Sequence, residues 1–478
     1  MFTKEFKDFF KNNKEQVKKK KYWGRYLYTV NFKMIASQVQ SGAKVLAIGP
    51  WVSDLFDLIN SPKGIGIDPC SYSQESLTKP GINIFSDSKQ LNEINEKFDY
   101  IILSSSIGMM EDILDSFVKL RKFCTPQTRI IATYYNRTWQ PFIRFSELLG
   151  LRLKTPEMNW VPAQEIENLL YLADFQTIKR SIFCLIPIYI PFFSNFINRF
   201  ISILPFINLA SILTLEISRP LNLSKEKNIT PKVSIVVPAR NEAGNIKEIV
   251  RRLPNFPGGQ EIIFVEGGSV DNTKEAIEKV IQDNPNLEIK FLTQKGKGKK
   301  DAVETGFGIA QGDIFIILDA DLSVPPEALP KFYKALMEDK GEFINGSRMV
   351  YPMKGKAMRF LNMLANVFFS KNFSYLLDQR VRDTLCGTKV LRKNDYFSIL
   401  KNKSYFGNFD YFGDFDLLFG AAHLNLKIID MPVRYNERIY GQTNIKRWKD
   451  GFFLMKMMLV GAFKLKFSWL IPGKYANK

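Results

Sequence analysis

Ile314-Phe315-Ile316-Ile317-Leu318 runs straight into Asp319-Ala320-Asp321. Five apolar residues of this kind predict a buried strand. The two carboxylates that follow stand at i and i+2, on one face and ~7 Å apart if the chain stays extended. Acids on one face repel unless a cation lies between them. Hard oxygen ligands that leave room for water and phosphate suit Mg²⁺ or Mn²⁺. A strand that stops in a solvated acidic turn would look the same locally, so the flanking sequence decides.

Outward from this stretch, residues 233–237, 261–265, 289–292 and 314–318 form strand patterns, with helical patterns at 245–252, 271–282, 300–310 and 326–337. Alternation of this kind predicts an α/β sheet, whose ligands bind at the carboxyl ends of strands. The first strand opens into Pro238-Ala239-Arg240-Asn241-Glu242, and the second into Glu266-Gly267-Gly268-Ser269-Val270-Asp271-Asn272-Thr273. After the third comes Gln294-Lys295-Gly296-Lys297-Gly298-Lys299-Lys300-Asp301, a glycine–lysine loop opening a helix, which suits a diphosphate. An acid, a basic loop and a carboxylate pair thus fall at successive strand ends. An activated sugar diphosphate requires that set: contacts for base and ribose, cations for the pyrophosphate, and a metal at the leaving group. Taken singly, the lysine loop would be a solvated surface loop and Glu266 a helix-proximal acid.

The first half alternates as well. Residues 44–48, 64–68, 98–103 and 129–133 form strand patterns, with a helical pattern at 110–123, which predicts a parallel, doubly wound sheet. Residues 221–230 are polar and precede Pro231, as a linker would. The organisation expected is a basic N-terminal extension (1–30), an α/β domain (31–219), a linker (220–231), a second α/β domain (232–450) and a basic amphipathic C-terminal segment (451–478).

The chain has 478 residues and a net charge of +19. A length of this order exceeds one ordinary core. The charge points to an anionic partner, either a phosphorylated substrate or an anionic membrane, although a lysine-rich proteome would give the same balance. The sequence shows no nucleic-acid-binding module. Cys70, Cys124, Cys184 and Cys386 lie far apart without disulfide or zinc spacing, as in a reducing cytosol. The single histidine, His423, excludes multi-histidine metal sites and sits in an apolar stretch that favours a structural role. Residues 1–21 lack a signal-peptide core. No segment reaches the length of an uninterrupted apolar span. Residues 184–215, broken by Pro187, Pro191, Asn195, Asn198, Arg199 and Pro205, and residues 452–471, studded with Lys456, Lys464 and Lys466, suit either a membrane surface or burial.

Residues 231 to about 448 resemble the family 2 glycosyltransferases of GT-A fold, most of all the polyprenyl-phosphate, dolichol-phosphate mannose synthase-like branch. The likeness rests on Val236-Val237-Pro238-Ala239-Arg240-Asn241-Glu242, Gly296-Lys297-Gly298, Ile317-Leu318-Asp319-Ala320-Asp321-Leu322, Gly346-Ser347-Arg348 and Asp383-Thr384-Leu385-Cys386-Gly387-Thr388-Lys389. The resemblance implies that Asp319 and Asp321 hold Mg²⁺ or Mn²⁺ against a UDP- or GDP-sugar. It implies that Pro238, Arg240, Glu242, Glu266, Lys297 and Asp301 surround the nucleotide. Glu266 stands where the family usually has Asp. In Phe412-Gly413-Asp414-Phe415-Asp416-Leu417, either Asp414 or Asp416 would act as base or orient the sugar. Arg348 is placed with the catalytic residues. Arg434, Arg438, Lys446 and Arg447 are candidates for an acceptor phosphate, because arginine offers oxyanions a planar fork. The acceptor implied is a polyprenyl phosphate or lipid-linked glycan, with the enzyme peripheral at the cytoplasmic face of the membrane.

Residues 31–219 resemble the class I S-adenosylmethionine-dependent methyltransferases, on Val45-Leu46-Ala47-Ile48-Gly49, Asp68, Asp87 and Phe98-Asp99-Tyr100-Ile101-Ile102-Leu103. The resemblance implies S-adenosylmethionine held by Gly49, Asp68 (ribose) and Asp87 (adenine). The sequence departs from that family at Ala47, where an acid is usual, and at Pro50-Trp51-Val52-Ser53, where glycines are usual. Three outcomes remain open: a glycosyltransferase with a degenerate N-terminal domain, a bifunctional glycosyl- and methyltransferase, and a membrane scaffold with both sites dead. The intact acid pair argues against the last.

Overall fold

The computed structural model describes residues 1–70, 80–86, 88–222, 230–351, 360–402, 405, 413–436, 438, 440 and 447–466, leaving out the side chains of 14, 18–23, 360–364 and 447–450. The chain forms two compact units, Met1–Lys225 with Lys466–Lys478, and Glu226–Leu465.

The first unit contains β1 (Val45–Ile48), β2 (Gly64–Ile67), β3 (Ile82–Phe85), β4 (Tyr100–Ser104), β5 (Arg129–Tyr135), β6 (Phe175–Phe183) and β7 (Leu213–Pro220). They pair in the order β3-β2-β1-β4-β5-β7-β6. The first five are parallel. β1 and β4 are buried at every position, as strands covered on both faces must be. The all-parallel sheet predicted from the alternation is not what forms at the far edge: β7 runs antiparallel to both β5 and β6. Residues 184–212 join β6 to β7 through short helical turns only. Without a crossover helix, the chain returns beside the strand it has just left. Two helices, Lys4–Asn12 and Lys14–Ala36, precede β1, and Phe6 and Phe10 are buried in the core of this unit.

The second unit contains β8 (Val233–Ala239), β9 (Gln260–Glu266), β10 (Ile289–Thr293), β11 (Ile314–Ile317), β12 (Phe343–Ser347), β13 (Lys389–Arg392) and β14 (Ile428–Pro432). The order is β10-β9-β8-β11-β13-β12-β14. β8 to β11 are parallel, as expected. β13 lies antiparallel between β11 and β12. Register places Ile317 opposite Val236 on one side and Lys389 on the other. The segment after β11 therefore emerges between the loop after β8 and the start of β13.

The amino-terminal end of this sheet is tied by one buried carboxylate. Glu261 of β9 accepts from Ser234 Oγ (2.5 Å), Lys290 Nζ (2.5 Å) and the amides of Gln311 (2.6 Å) and Gly312 (3.2 Å). It joins β8, β9, β10 and the turn before β11. Burial opposes its ionisation, but Lys290, Ser234 and the two amides outweigh that and hold the carboxyl at about 2. A depressed carboxyl contributes stability that is present above its unfolded pKa and lost as pH falls through the folded value. Glu261→Gln is expected to cost on the order of 2–3 kcal/mol at pH 7. Its deficit should shrink between about pH 4.5 and 2. Denaturant melts across that range check this, and a deficit that does not change with pH would refute it.

Candidate functional site

β11 stops at Ile317, one residue earlier than expected, and Asp319-Ala320-Asp321 lies in a turn with Leu322 at φ +55°. The carboxylates do not share one face of an extended strand, because the turn separates them. Each has its own cation. Asp319 lies 2.6 Å from Lys299 Nζ, and Asp321 lies 2.7 Å from Arg438 Nη2. Asp321 also accepts the Ser323 amide at 3.0 Å. Burial disfavours the Asp319 anion, yet Lys299 holds its carboxyl below the usual range. Burial likewise works against the Lys299 charge, and Asp319 and Asp414 raise its pKa regardless.

Lys299 is the hub of the arrangement. Its ammonium is also 4.0 Å from Asp414, whose other oxygen is 3.3 Å from Lys389 Nζ. Lys389 is wholly buried and donates to Asn345 Oδ1 (3.1 Å) and the Cys386 carbonyl (2.6 Å). A Cβ at Gly387 would overlap both the Asp319 carboxylate and the Lys299 ammonium, so a side chain there would displace the pair. Asp416 differs from its near neighbour in its cation, pairing with Lys300 at 2.5 Å, while both acids line one pocket with Lys299, Val303, Ile399 and Leu417.

Arg348 meets Asp383 through Nε (2.7 Å), Nη2 (2.8 Å) and its own amide (3.0 Å). Asp383 is fully buried. Burial raises its pKa, but Arg348 brings it down to about 2. The guanidinium also lies 5.1 Å from the Tyr435 ring centre.

The loops expected around a nucleotide are laced together. Asn241 donates its amide to Ser269 Oγ (3.0 Å), and its Oδ1 accepts from the Val270 amide (2.8 Å). Glu266, at the end of β9, accepts the Ser269 amide at 2.5 Å. Asp301 accepts the Gly296 amide at 2.9 Å, fixing the glycine–lysine loop. Pro238 is half-buried, whereas Arg240 and Lys297 are exposed. Arg434 stacks on Tyr351 at 5.2 Å. Lys446 lies outside the described residues, and Arg447 opens the helix Arg447–Gly461 with its side chain outside the description. Lys299, Lys300, Asp383 and Lys389 were not picked out from sequence as site residues. All four lie inside the stretches quoted, but nothing in a linear pattern tells which of their charges turn inward.

Residues 234–399 match the model of the family described as Glycosyl transferase family 2. The second unit carries a family 2 glycosyltransferase domain. The chain is similar to a dolichol-phosphate mannosyltransferase of Pyrococcus furiosus, 28% identical over 220 residues, or 45% of this chain and 59% of that protein. It is also similar to an undecaprenyl-phosphate 4-deoxy-4-formamido-L-arabinose transferase of Salmonella choleraesuis, 35% identical over 104 residues, or 21% of this chain and 32% of that one. The chain thus spans less than two thirds of these curated relatives. Among solved structures it is similar to glucosyl-3-phosphoglycerate synthase of Mycobacterium tuberculosis with Mn²⁺ and UDP (15% identity, TM-score 0.36, covering 49% of this chain and 80% of that one). A mannosyltransferase of Pyrobaculum calidifontis with GDP-mannose and Mn²⁺ is a further neighbour (18%, TM-score 0.34, 51% and 73%).

Within the glycosyltransferase domain, Glu242 sits close enough to the acid pair to feel it. Burial raises its carboxyl to about 7, Asp321 and Asp271 add to the rise, and Asn245 and Arg438 oppose it. Asn245 Nδ2 donates to it at 2.6 Å. A raised carboxyl penalises the folded state once ionised, so stability is greatest below the unfolded pKa and falls as pH rises from about 4.5 through 7. Glu242→Gln removes the penalty. It is expected to be more stable than the parent at pH 8, by at most ~3 kcal/mol, and nearly equal at pH 4.5. Paired thermal melts at the two pH values test this; an equal gain at both would refute it.

In the first unit, Gly49 adopts φ +147° against the Ser104 carbonyl, where a Cβ would collide with that oxygen. Asp68 is wholly buried and accepts the Cys70 amide at 2.9 Å. Asp87 lies outside the described residues. Trp51, just past Gly49, is buried in the left-handed conformation at φ +56°, with Tyr28 edge-on at 4.2 Å between ring centres.

Proposed function

We propose that the second unit transfers a sugar from a UDP- or GDP-sugar to a polyprenyl phosphate or lipid-linked glycan at the cytoplasmic face of a membrane. The observation that carries this is the pairing of Asp319 and Asp321 with separate cations just past the carboxyl end of the parallel strand β11. The two carboxylates fit a divalent cation that keeps the rest of its shell for water and diphosphate oxygens. Such an ion, when bound, neutralises charge building on the leaving diphosphate. The chain's own groups do the remainder. Arg240, Glu242 and Glu266 line the nucleotide. Lys297 and Lys299 meet the diphosphate. Asp414, which shares Lys299 with Asp319, is the better placed of the two downstream acids to orient the sugar or take the acceptor proton. Arg438 and Arg434 supply forks for the acceptor phosphate. The buried Arg348–Asp383 pair adds a positive charge that helps to keep Asp319 ionised. The helix Arg447–Gly461 leaves Phe452 and Leu459 exposed, in keeping with a lipid acceptor. Among the described residues no helix is long and apolar enough to cross a membrane.

The test is a panel of UDP- and GDP-sugars with Mn²⁺ and a short polyprenyl phosphate, following radiolabel into the organic phase. Asp321→Asn and Asp414→Asn are each expected to lower transfer ~100-fold or more. Transfer untouched by Asp321→Asn would overturn the assignment.

For the first unit, the reading favoured by Trp51 and Tyr28 is a methyltransferase-like fold whose cofactor cleft is filled by its own side chains. S-Adenosylmethionine is expected to give no saturable shift in melting temperature. A saturable shift, abolished by Asp68→Ala, would restore the bifunctional alternative.

A further inference from the structure

The connection between β6 and β7 is built inside out. In residues 184–212 the wholly buried side chains include Ser194, Asn198 and Ser202, while Phe192 and Phe206 are 91% and 85% exposed. Ser194, Asn198 and Ser202 serve the connection's own backbone, whereas Ser211 Oγ and Arg199 Nε are buried without a hydrogen-bond partner among the described residues. Ser194 Oγ accepts from the Ile190 amide (2.9 Å) and donates to the Ile188 carbonyl (2.7 Å). Asn198 Oδ1 accepts the amides of Leu185 (2.8 Å) and Ile186 (2.9 Å), and its Nδ2 donates to the Ile186 carbonyl (2.8 Å) and Tyr26 Oη (3.0 Å). Ser202 Oγ donates to the Asn198 carbonyl at 2.5 Å. A surface loop in water turns its polar groups outward. A segment that meets hydrocarbon must satisfy its polar groups within itself.

Backbone strain points the same way. Phe192 and Phe206 adopt φ +60° and +71°, conformations that cost a bulky residue free energy. They are held there with their rings outward. Beside them, Asn136 donates to the carbonyls of Leu209 and Ser211 (3.2 Å each), and Trp139 Nε1 donates to that of Ala210 (2.8 Å). These bonds fix the start of helix Gln140–Leu148, which exposes Phe142, Phe145 and Leu148, against the connection. Residues 184–212 contain no Asp or Glu, whereas helix Gln140–Leu148 carries Glu147, which accepts from Thr155 Oγ1 at 2.9 Å. Arg137 and Arg144 are exposed, Arg144 pairing with Glu157 at 3.2 Å, and the Arg199 guanidinium lies 5.3 Å from the Phe200 ring centre.

We propose that this face docks the first unit on a bilayer with anionic headgroups. Phe192 and Phe206 enter the boundary between headgroups and acyl chains, and Arg137, Arg144 and Arg199 meet lipid phosphates. The absence of any carboxylate from residues 184–212, and the hydrogen bonds that close Ser194, Asn198 and Ser202 on their own backbone, favour lipid over a second copy of the chain. The proposal rests on no part of the proposed transfer reaction.

The test uses the full chain and vesicles of phosphatidylcholine, with and without phosphatidylglycerol and lacking polyprenyl phosphate. Wild type is expected to sediment with the anionic vesicles, and Phe192→Ser/Phe206→Ser at least tenfold less, with UDP- or GDP-sugar binding and melting temperature unchanged. Because the four native cysteines are buried, Phe192→Cys can carry an environment-sensitive fluorophore. It is expected to shift to the blue on anionic vesicles and to be quenched by spin-labelled lipid. Three results would each overturn the proposal: no vesicle binding by wild type, unchanged binding with an unshifted fluorophore, or a lipid-free dimer that the double substitution makes monomeric.

Discussion

A buried charge must have a partner, and at the carboxyl end of the second sheet this constraint governs nearly everything. Asp319, Asp321, Asp383 and Asp414 converge there, and Lys299, Arg438, Arg348 and Lys389 answer them. The pairs are not interchangeable. Arg348 uses its planar fork on Asp383. Lys299, a point charge on a flexible stem, reaches two acids at once. Lys389 is buried outright and is tolerated because an aspartate, an amide oxygen and a carbonyl surround its ammonium. Gly387 leaves the gap that lets Asp319 and Lys299 meet. The loops around the site follow from where these charges must stand.

Much of this was legible beforehand because its signals are local. Buried strands declare themselves as runs such as Ile314 to Ile317, and the residues after them fall at the ligand edge by topology alone. The acids at 319 and 321 were found that way, whereas Asp414 came only through the family resemblance. What escaped was pairing across the sheet. β13 is a four-residue strand and runs antiparallel, too short to show a period. It is this strand that brings Lys389 beside the acids. The i, i+2 argument for Asp319 and Asp321 also assumed an extended chain. The Ser323 amide instead draws Asp321 into a turn.

The first unit shows a different limit. Phe192 and Phe206 lie in a stretch that the sequence leaves open between a membrane surface and burial, since a hydrophobic pattern records apolarity and not the direction a side chain takes. The direction is set by Ser194, Asn198 and Ser202, whose hydrogen bonds close the connection on itself. Trp51 is the converse case. Its misfit with a glycine-rich cofactor loop was visible at once, because bulk beside Gly49 needs no tertiary information to be noticed.

The cations parked on Asp319 and Asp321 also bear on how the proposed donor would be accepted. Without ligand, the two carboxylates are balanced by Lys299 and Arg438. A diphosphate brings negative charge together with a divalent cation, which would take over the carboxylates. Lys299 and Arg438 would then be free to meet the diphosphate and the acceptor phosphate of the proposed reaction. Every buried charge keeps a partner through the exchange, so the site avoids the several kcal/mol that a bare buried ion would cost. A nucleotide arriving without its metal would meet carboxylates still holding their cations, and a metal arriving alone would strand Lys299 and Arg438 near it. Donor and metal are therefore expected to bind as a unit, because only together do they conserve the charge balance that the folded protein already holds.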